Sequence, residues 1–316
     1  MSTVVYVKQN NEKEAGMISE SQTNSRVLRI LNFMAERPTD TFTLSQLARE
    51  LDLSLGSAHR VLSTMTQYRY LYRHPVHKTY SLGVALVAVG QAALETNRGI
   101  DMARVEARAL AAELQALCLV TAVVDDEVLF LAREGVPQSS NGLYRTGERR
   151  AYMPPFNLVR VAWAEKQEVD EYFRLAESYL DPDTVAFIRS VLPVVRARGY
   201  AMAANRSGLQ QITHRDPLPL AHSSVSEPDT ASRRLARELS REEIFLRDAE
   251  IPVEGVAYIA APVFSASGQV AFELTLTGLP TDLDEVSLKR YTNRLCATAD
   301  LITNKTYGKF PIRSRI

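Results

Sequence analysis

The sequence predicts an α+β protein in two parts: three helices and a small β-hairpin, then a helix-joined domain around one antiparallel sheet. Three observations carry that expectation. Apolar residues recur at spacings of three and four through Leu44, Leu47, Ala48 and Leu51, and again through Ala58, Val61, Leu62 and Met65. That is the pattern of two amphipathic helices. Directly after them, Tyr70–Gly83 sets two short runs rich in Tyr, Leu and Thr around a basic tip, His74 to Lys78, which reads as a β-hairpin. From residue 119 onward, strand-like runs come early and late with helical patterns between them, as in an α+β domain with a single sheet. A length of 316 residues also favours two domains.

Residues 1–22 are polar and lack an apolar core segment, so they read as a flexible tail and not a signal peptide. A first helix follows, capped by Asn24 or Ser25, with Val27, Leu28, Leu31 and Met34 on one face and an end before Pro38. The second and third helices meet across a tight turn pinned by Leu53, and Ser54 is a good N-cap for the third. Pro75 falls in the hairpin turn, where it breaks no ladder hydrogen bond. Three helices and a wing over residues 23–82 form a winged helix-turn-helix, large enough to close its own core. Its third helix is sized to enter the major groove of DNA. The residues expected at DNA are Ser45, Ser54, Gly56, Ser57, His59, Arg60 and Thr64, with Arg73 and Lys78 on the wing for phosphate or minor-groove contact.

Charge supports this locally. The whole chain carries 37 Lys+Arg against 37 Asp+Glu, which argues against a bulk polyanion binder. Residues 25–85 hold Arg26, Arg29, Arg37, Arg49, Arg60, Arg69, Arg73 and Lys78 against Glu36, Asp40, Glu50 and Asp52, together with three of the five histidines. A positive module on a neutral chain suits binding to a polyanion through one face.

These residues resemble the IclR family of bacterial transcriptional regulators. The matching stretches are SRVLRILNFMAE (25–36), TLSQLARELDLSLGSAHRVLSTM (43–65), Tyr80–Gly83, Gly255–Phe264, Gly268 and Leu274–Gly278. With a weaker middle, the resemblance spans roughly residues 24 to 305. It implies a winged helix, a linker helix that dimerises, and a GAF-like effector-binding domain. The residues allow the same organisation independently. Residues 83–94 form a helix with hardly a polar face; lying between domains at 83–98, it is naturally covered by a partner subunit, giving a dimer or tetramer. Packing on its own chain is the alternative. The helix is too short to span a bilayer, so no membrane partner is expected.

The second domain, 99–308, should contain a helix at 101–117 and a hairpin of 119–124 with 128–131. Helices at 157–180 and 182–198 follow, the second ended by Gly199, then an extended run from Tyr200 to Ala204. Strands 255–264 and 269–277 pair across residues 265–268, and a helix at 282–304 closes the domain. Residues 205–243 are polar and proline-containing, and read as a mobile loop with a short helix near 232–239.

Catalytic chemistry is thin. Cys118 and Cys296 lie on apolar helical stripes with no zinc-type spacing, and suit a reducing cytoplasm. His214 and His222 fall in the polar loop, a poor place for a preorganised base. No phosphate loop, nucleophile elbow or metal motif appears. No enzyme activity, cofactor or metal is therefore expected.

The resemblance implies an effector held in a cup of the sheet, closed by the segment after the first hairpin. Carried over by position, the contacts would be Tyr152, Met153, Phe156, Asp248, Tyr258, Thr275 and Thr277. Thr275 and Thr277 share a face by strand alternation, with Glu273 two residues earlier. Many family members carry a Gly-x-Arg-x-Pro loop and a Gly-Lys helix start that can hold an anion. Here Gly147–Asn157 and Leu158–Trp163 put Tyr152, Met153, Phe156 and Trp163 in that region and lack the Gly-Lys pair. The departure favours a larger or aromatic ligand, or no tight ligand, over a small keto acid. The expected whole is a cytoplasmic, homo-oligomeric, sequence-specific DNA-binding regulator with a small-molecule effector. An enzyme or signalling module with a GAF-like domain, its winged helix contacting protein, is the alternative.

Overall fold

The structure, a computed structural model, describes residues 22–35, 37–124, 127–136, 144–204, 233, 237, 255–280 and 282–311. The expected tail up to residue 21, nearly all of the loop at 205–243 with His214 and His222, and Asp248 lie outside the described residues. The chain divides into two compact units, Met1–Asp101 and Met102–Ile316.

The first unit holds α1 (Gln22–Ala35), α2 (Leu44–Glu50), α3 (Leu55–Gln67), β1 (Leu71–Arg73), β2 (Tyr80–Leu82) and α4 (Ala85–Thr96). Thr43 and Gln46 form a capping box at the start of α2, and the Ser54 hydroxyl accepts from Ser57 N at 3.3 Å to cap α3. Asp52, in the left-handed region at φ 50°, turns the chain between them, which a short polar side chain tolerates. Leu53 is half-buried, and its N–H donates to Ala48 O at 2.8 Å. Ile30, Met34, Leu47, Leu51, Leu62 and Leu71 are fully buried between the helices and the hairpin. Burying each such side chain is worth about 1.5–3 kcal/mol.

α1 departs from expectation in its start, at Gln22 ahead of Asn24 and Ser25, and in its inward face. Ile30, Phe33 and Met34 point inward, whereas Leu28 is 61% exposed. At 100° per residue, Leu28 lies some two steps from Ile30 and so falls on the far side of the helix.

The second unit is built on a six-stranded antiparallel sheet. Its strands are β3 (Leu117–Val124), β4 (Glu127–Glu134), β5 (Arg149–Ala151), β6 (Ala201–Ala204), β7 (Val256–Phe264) and β8 (Val270–Thr277), in the order β5-β4-β3-β8-β7-β6. The helices are α5 (Arg98–Leu114), α6 (Leu158–Ala162), α7 (Lys166–Glu177), α8 (Pro182–Arg198) and α9 (Glu285–Lys305). One sheet face, with Cys118 (in β3 and not on the helix expected for it), Val120, Ile259, Leu274 and Leu276, packs with residues of α5 and α9. Residues of opposite parity, Ala201, Ala203, Ala260 and Tyr258, pack with α6, α7 and α8. Farther along that second face, Leu117, Leu119, Val128 and Phe130 meet Tyr144 and Tyr152.

Two corrections concern the middle of the chain. The helix expected over 157–180 is two, α6 and α7, separated at Trp163–Glu165. No glycine or proline marks the break, so apolar periodicity runs through it unnoticed. The short strand β5 was unexpected because Arg149-Arg150-Ala151 shows no alternation, yet it pairs with Glu127–Leu129 of β4. Among the described residues no helix is long and apolar enough to cross a membrane.

Candidate functional site

The first unit presents α3 with one face on the core and the other open. Ala58, Val61, Leu62 and Met65 are buried, while Gly56, His59, Arg60 and Thr64 are exposed. Ser45 and Ser54 are exposed at the starts of α2 and α3, and the Thr64 hydroxyl turns back to Arg60 O at 3.1 Å. Ser57 is the correction. It is 7% exposed and accepts from Arg26 Nη1 at 2.8 Å, so it faces α1 and not solvent. It lies four residues before Val61, on the core stripe; its polar type, not its position, suggested an outward side chain.

The wing is folded on itself. His74 Nδ1 accepts from Val76 N at 3.2 Å and His77 N at 3.1 Å, and the two imidazoles lie 4.6 Å apart. Lys78, at φ 57°, donates its ammonium to Pro75 O at 2.6 Å yet stays exposed. The Arg73 guanidinium lies 5.7 Å from the Tyr80 ring and is exposed. Of the eight cations in this region, Arg26, Arg29 and Arg37 serve internal partners, Ser57 Oγ, Leu51 O and Phe33 O. The outward positive charge therefore comes from Arg60, Arg69, Arg73 and Lys78, with Arg49 paired to Glu50.

In the second unit, register brings the expected cup residues to one face. Tyr258 stands opposite Thr277, Thr275 opposite Ala260, and Glu273 opposite both Pro262 and Thr121. The Thr277 hydroxyl donates to Ala257 O at 3.1 Å, which occupies it within its own sheet. The Tyr152 hydroxyl donates to Glu168 Oε1 at 3.2 Å, and its ring lies 5.6 Å from that of Tyr172. Burial pushes the hydroxyls of Tyr152 and Tyr258 well above the usual tyrosine range, so both remain protonated. Met153 is 1% exposed within the α6–α8 cluster. Phe156 and Trp163 are half-buried against the same cluster, and Trp163 also packs edge-on to Phe264 at 5.6 Å.

Two features of this face were not assigned from sequence. Arg160 of α6 donates to Glu168 Oε1 at 2.8 Å and to Val270 O at 2.9 Å, tying α7 to the edge of β8. Glu273 is buried, and Asn157 Nδ2 approaches its Oε2 at 3.5 Å. Asn157 reaches it from the left-handed region, φ 59°, immediately before α6. Glu273, Thr121 and Arg160 border a narrow surface crevice with no enclosed room for even a water molecule.

Burial raises the Glu273 carboxyl to about 7, opposed by the Asn157 hydrogen bond. A free glutamate titrates near 4.5, so between these values the native state holds the extra proton. Its contribution to stability therefore falls as pH rises through that window and levels off above it. Glu273→Gln should be more stable relative to the parent at pH 8 than at pH 5, by thermal denaturation. An equal difference at both pH values would show that the carboxyl is not desolvated.

Similarity to known proteins agrees with this geometry. Residues 25–75 match the IclR helix-turn-helix domain. An uncharacterized HTH-type transcriptional regulator of Haemophilus influenzae is 22% identical over 299 residues, 95% of this chain and 96% of that protein. The crystal structure of an IclR transcriptional regulator from Alicyclobacillus acidocaldarius superposes with a TM-score of 0.63 at 17% identity, covering 90% of this chain and 98% of the other. An IclR homolog from Microbacterium hydrocarbonoxydans, complexed with 4-hydroxybenzoate, gives 0.60 at 18% identity over 90% and 98%.

Proposed function

We propose a division of labour for this chain, a DNA-binding transcriptional regulator of the IclR type: the first unit reads a DNA sequence and the second senses a small molecule. The observation that carries the first half is α3, capped by Ser54 and buried along one side, holding His59 and Arg60 outward beside a basic wing. A helix so anchored can lie in the major groove while Arg73 and Lys78 meet backbone phosphates. The winged helix is assigned to residues 23–82, the linker to 83–98 and the effector domain to 99–308.

The linker supports an oligomer. No residue of α4 is buried, and Val84, Val87 and Val89 are 77%, 72% and 51% exposed. An apolar helix left open in a single chain is naturally covered by the same helix of a second copy, in a dimer or a dimer of dimers. Two copies would present two recognition helices to two half-sites. A DNA partner places the protein in the cytoplasm.

The effector is a small organic, aromatic molecule held on the cup face. Tyr152, Tyr258 and Phe130 supply ring surface there, and a structural relative holds 4-hydroxybenzoate. Ligand pockets usually enclose about 300 Å³ or more, so the cup must open to admit one. That opening gives the ligand different affinities for two forms, which is the requirement for regulation.

Arg60→Ala tests the DNA reading. Losing one base contact should cost about 1–3 kcal/mol, a loss of roughly 5- to 150-fold in operator affinity. The thermal midpoint should not move, because Arg60 is exposed. Parent-like operator binding by this variant would remove Arg60 from the reading face.

A further inference from the structure

We propose that Glu273 recognises the effector directly, accepting a hydrogen bond from a hydroxyl group on an aromatic ligand. The inference rests on the effector-sensing reading above and names the ligand class. Glu273 sits in mid-sheet on the cup face, opposite Thr121 and Pro262 and two residues from Thr275. It is 6% exposed, and its Oε1 has no hydrogen-bond partner. The carboxyl otherwise receives a long 3.5 Å contact from Asn157 Nδ2 to Oε2 and a backbone hydrogen bond from Arg160 near the start of α6. Native proteins seldom leave a buried carboxyl oxygen unmet, because desolvating it without a partner is costly. An unsatisfied acceptor on the cup face is therefore a place for a ligand donor once the cup opens.

The surroundings narrow the donor. The Arg160 guanidinium is committed to Glu168 and Val270 O, so it leaves Oε1 of Glu273 unmet. The hydroxyls of Tyr152, Tyr172 and Thr277 donate to Glu168, Phe156 O and Ala257 O. They offer little to a carboxylate ligand at this end of the cup, and an ionised Glu273 would repel one. A ligand hydroxyl suits both protonation states, since it donates to the carboxylate and accepts from the neutral acid. The aromatic rings of Tyr152 and Tyr258 supply the apolar wall against which a phenol ring would stack.

Calorimetry on the full chain tests this with 4-hydroxybenzoate and benzoate, which differ only in the hydroxyl. The parent should bind 4-hydroxybenzoate at least about tenfold more tightly, because a site built to receive a hydroxyl discriminates against its absence. Glu273→Leu should lose the preference while leaving benzoate affinity within about threefold, and Glu273→Gln, whose amide oxygen still accepts, should keep part of it. Thermal midpoints without ligand should not fall in either variant, since an unmet buried acceptor has been removed or neutralised. A parent that binds both compounds equally, or neither, overturns the proposal, as does a Glu273→Leu variant that keeps the preference. Operator binding separates the two readings. Release triggered only by compounds without a hydroxyl sinks the role of Glu273 and leaves effector sensing intact. A Glu273-dependent preference with no change at the operator supports the binding site and sinks effector sensing.

Discussion

Gly83→Val is expected to destabilise the N-terminal unit strongly and to weaken DNA binding while the second unit keeps its stability. Gly83 closes the wing, and its N–H donates to Tyr70 O at 2.8 Å. A Cβ placed there would lie 2.1 Å from Arg69 O and 2.8 Å from the carbonyl carbons of Arg69 and Tyr70. These are backbone atoms, so relief requires the hairpin to leave the end of α3. Overpacking a tight site costs about 1–3 kcal/mol, and more where backbone must move. Small domains hold only about 5–15 kcal/mol in total. At roughly 4–8 °C per kcal/mol for a unit of this size, the first transition in a thermal scan should fall by about 10 °C or more. Gly83→Ala carries the same Cβ and should show the same sign. An unchanged first transition would show that the wing does not seat on α3 as described.

Val87→Asp with Val89→Asp is expected to reduce the oligomer to single chains and, with it, affinity for a two-half-site operator. Both positions are more than half exposed in the single chain, so charges there leave the fold intact. In a subunit interface the same charges would be buried without partners, at several kcal/mol each. Sedimentation should show the smaller species at micromolar concentration. If the variant sediments as the parent does, α4 is not where the copies meet.

Much of the first unit was legible because its signals are local. The cap at Ser54, a three–four apolar spacing and a proline confined to a turn each act within a few residues. Where side chains reach across elements, the reading failed. Ser57 is covered by Arg26 from α1, 31 residues away, and its polar type outweighed its place on the core stripe. Apart from β5 and β6, the strands of the second unit were legible as apolar or alternating runs, and their register places Glu273, Thr275 and Tyr258 on one face. The burial of Glu273 and its unmet Oε1 were not legible, because they depend on residues such as Asn157, 116 residues away in the chain. The break between α6 and α7 was hidden for the opposite reason: with no breaker residue, tertiary packing alone decides where the helix stops.

The central claim is that the outward face of α3 reads a DNA sequence, and selection of bound duplexes from a random library tests it most directly. The full-length parent at physiological salt should enrich a shared sequence with two related half-sites about one helical turn apart. Its affinity for that sequence should exceed that for scrambled duplex by roughly 10³-fold or more. Recovery of no shared sequence, or equal affinity for selected and scrambled DNA, would contradict it.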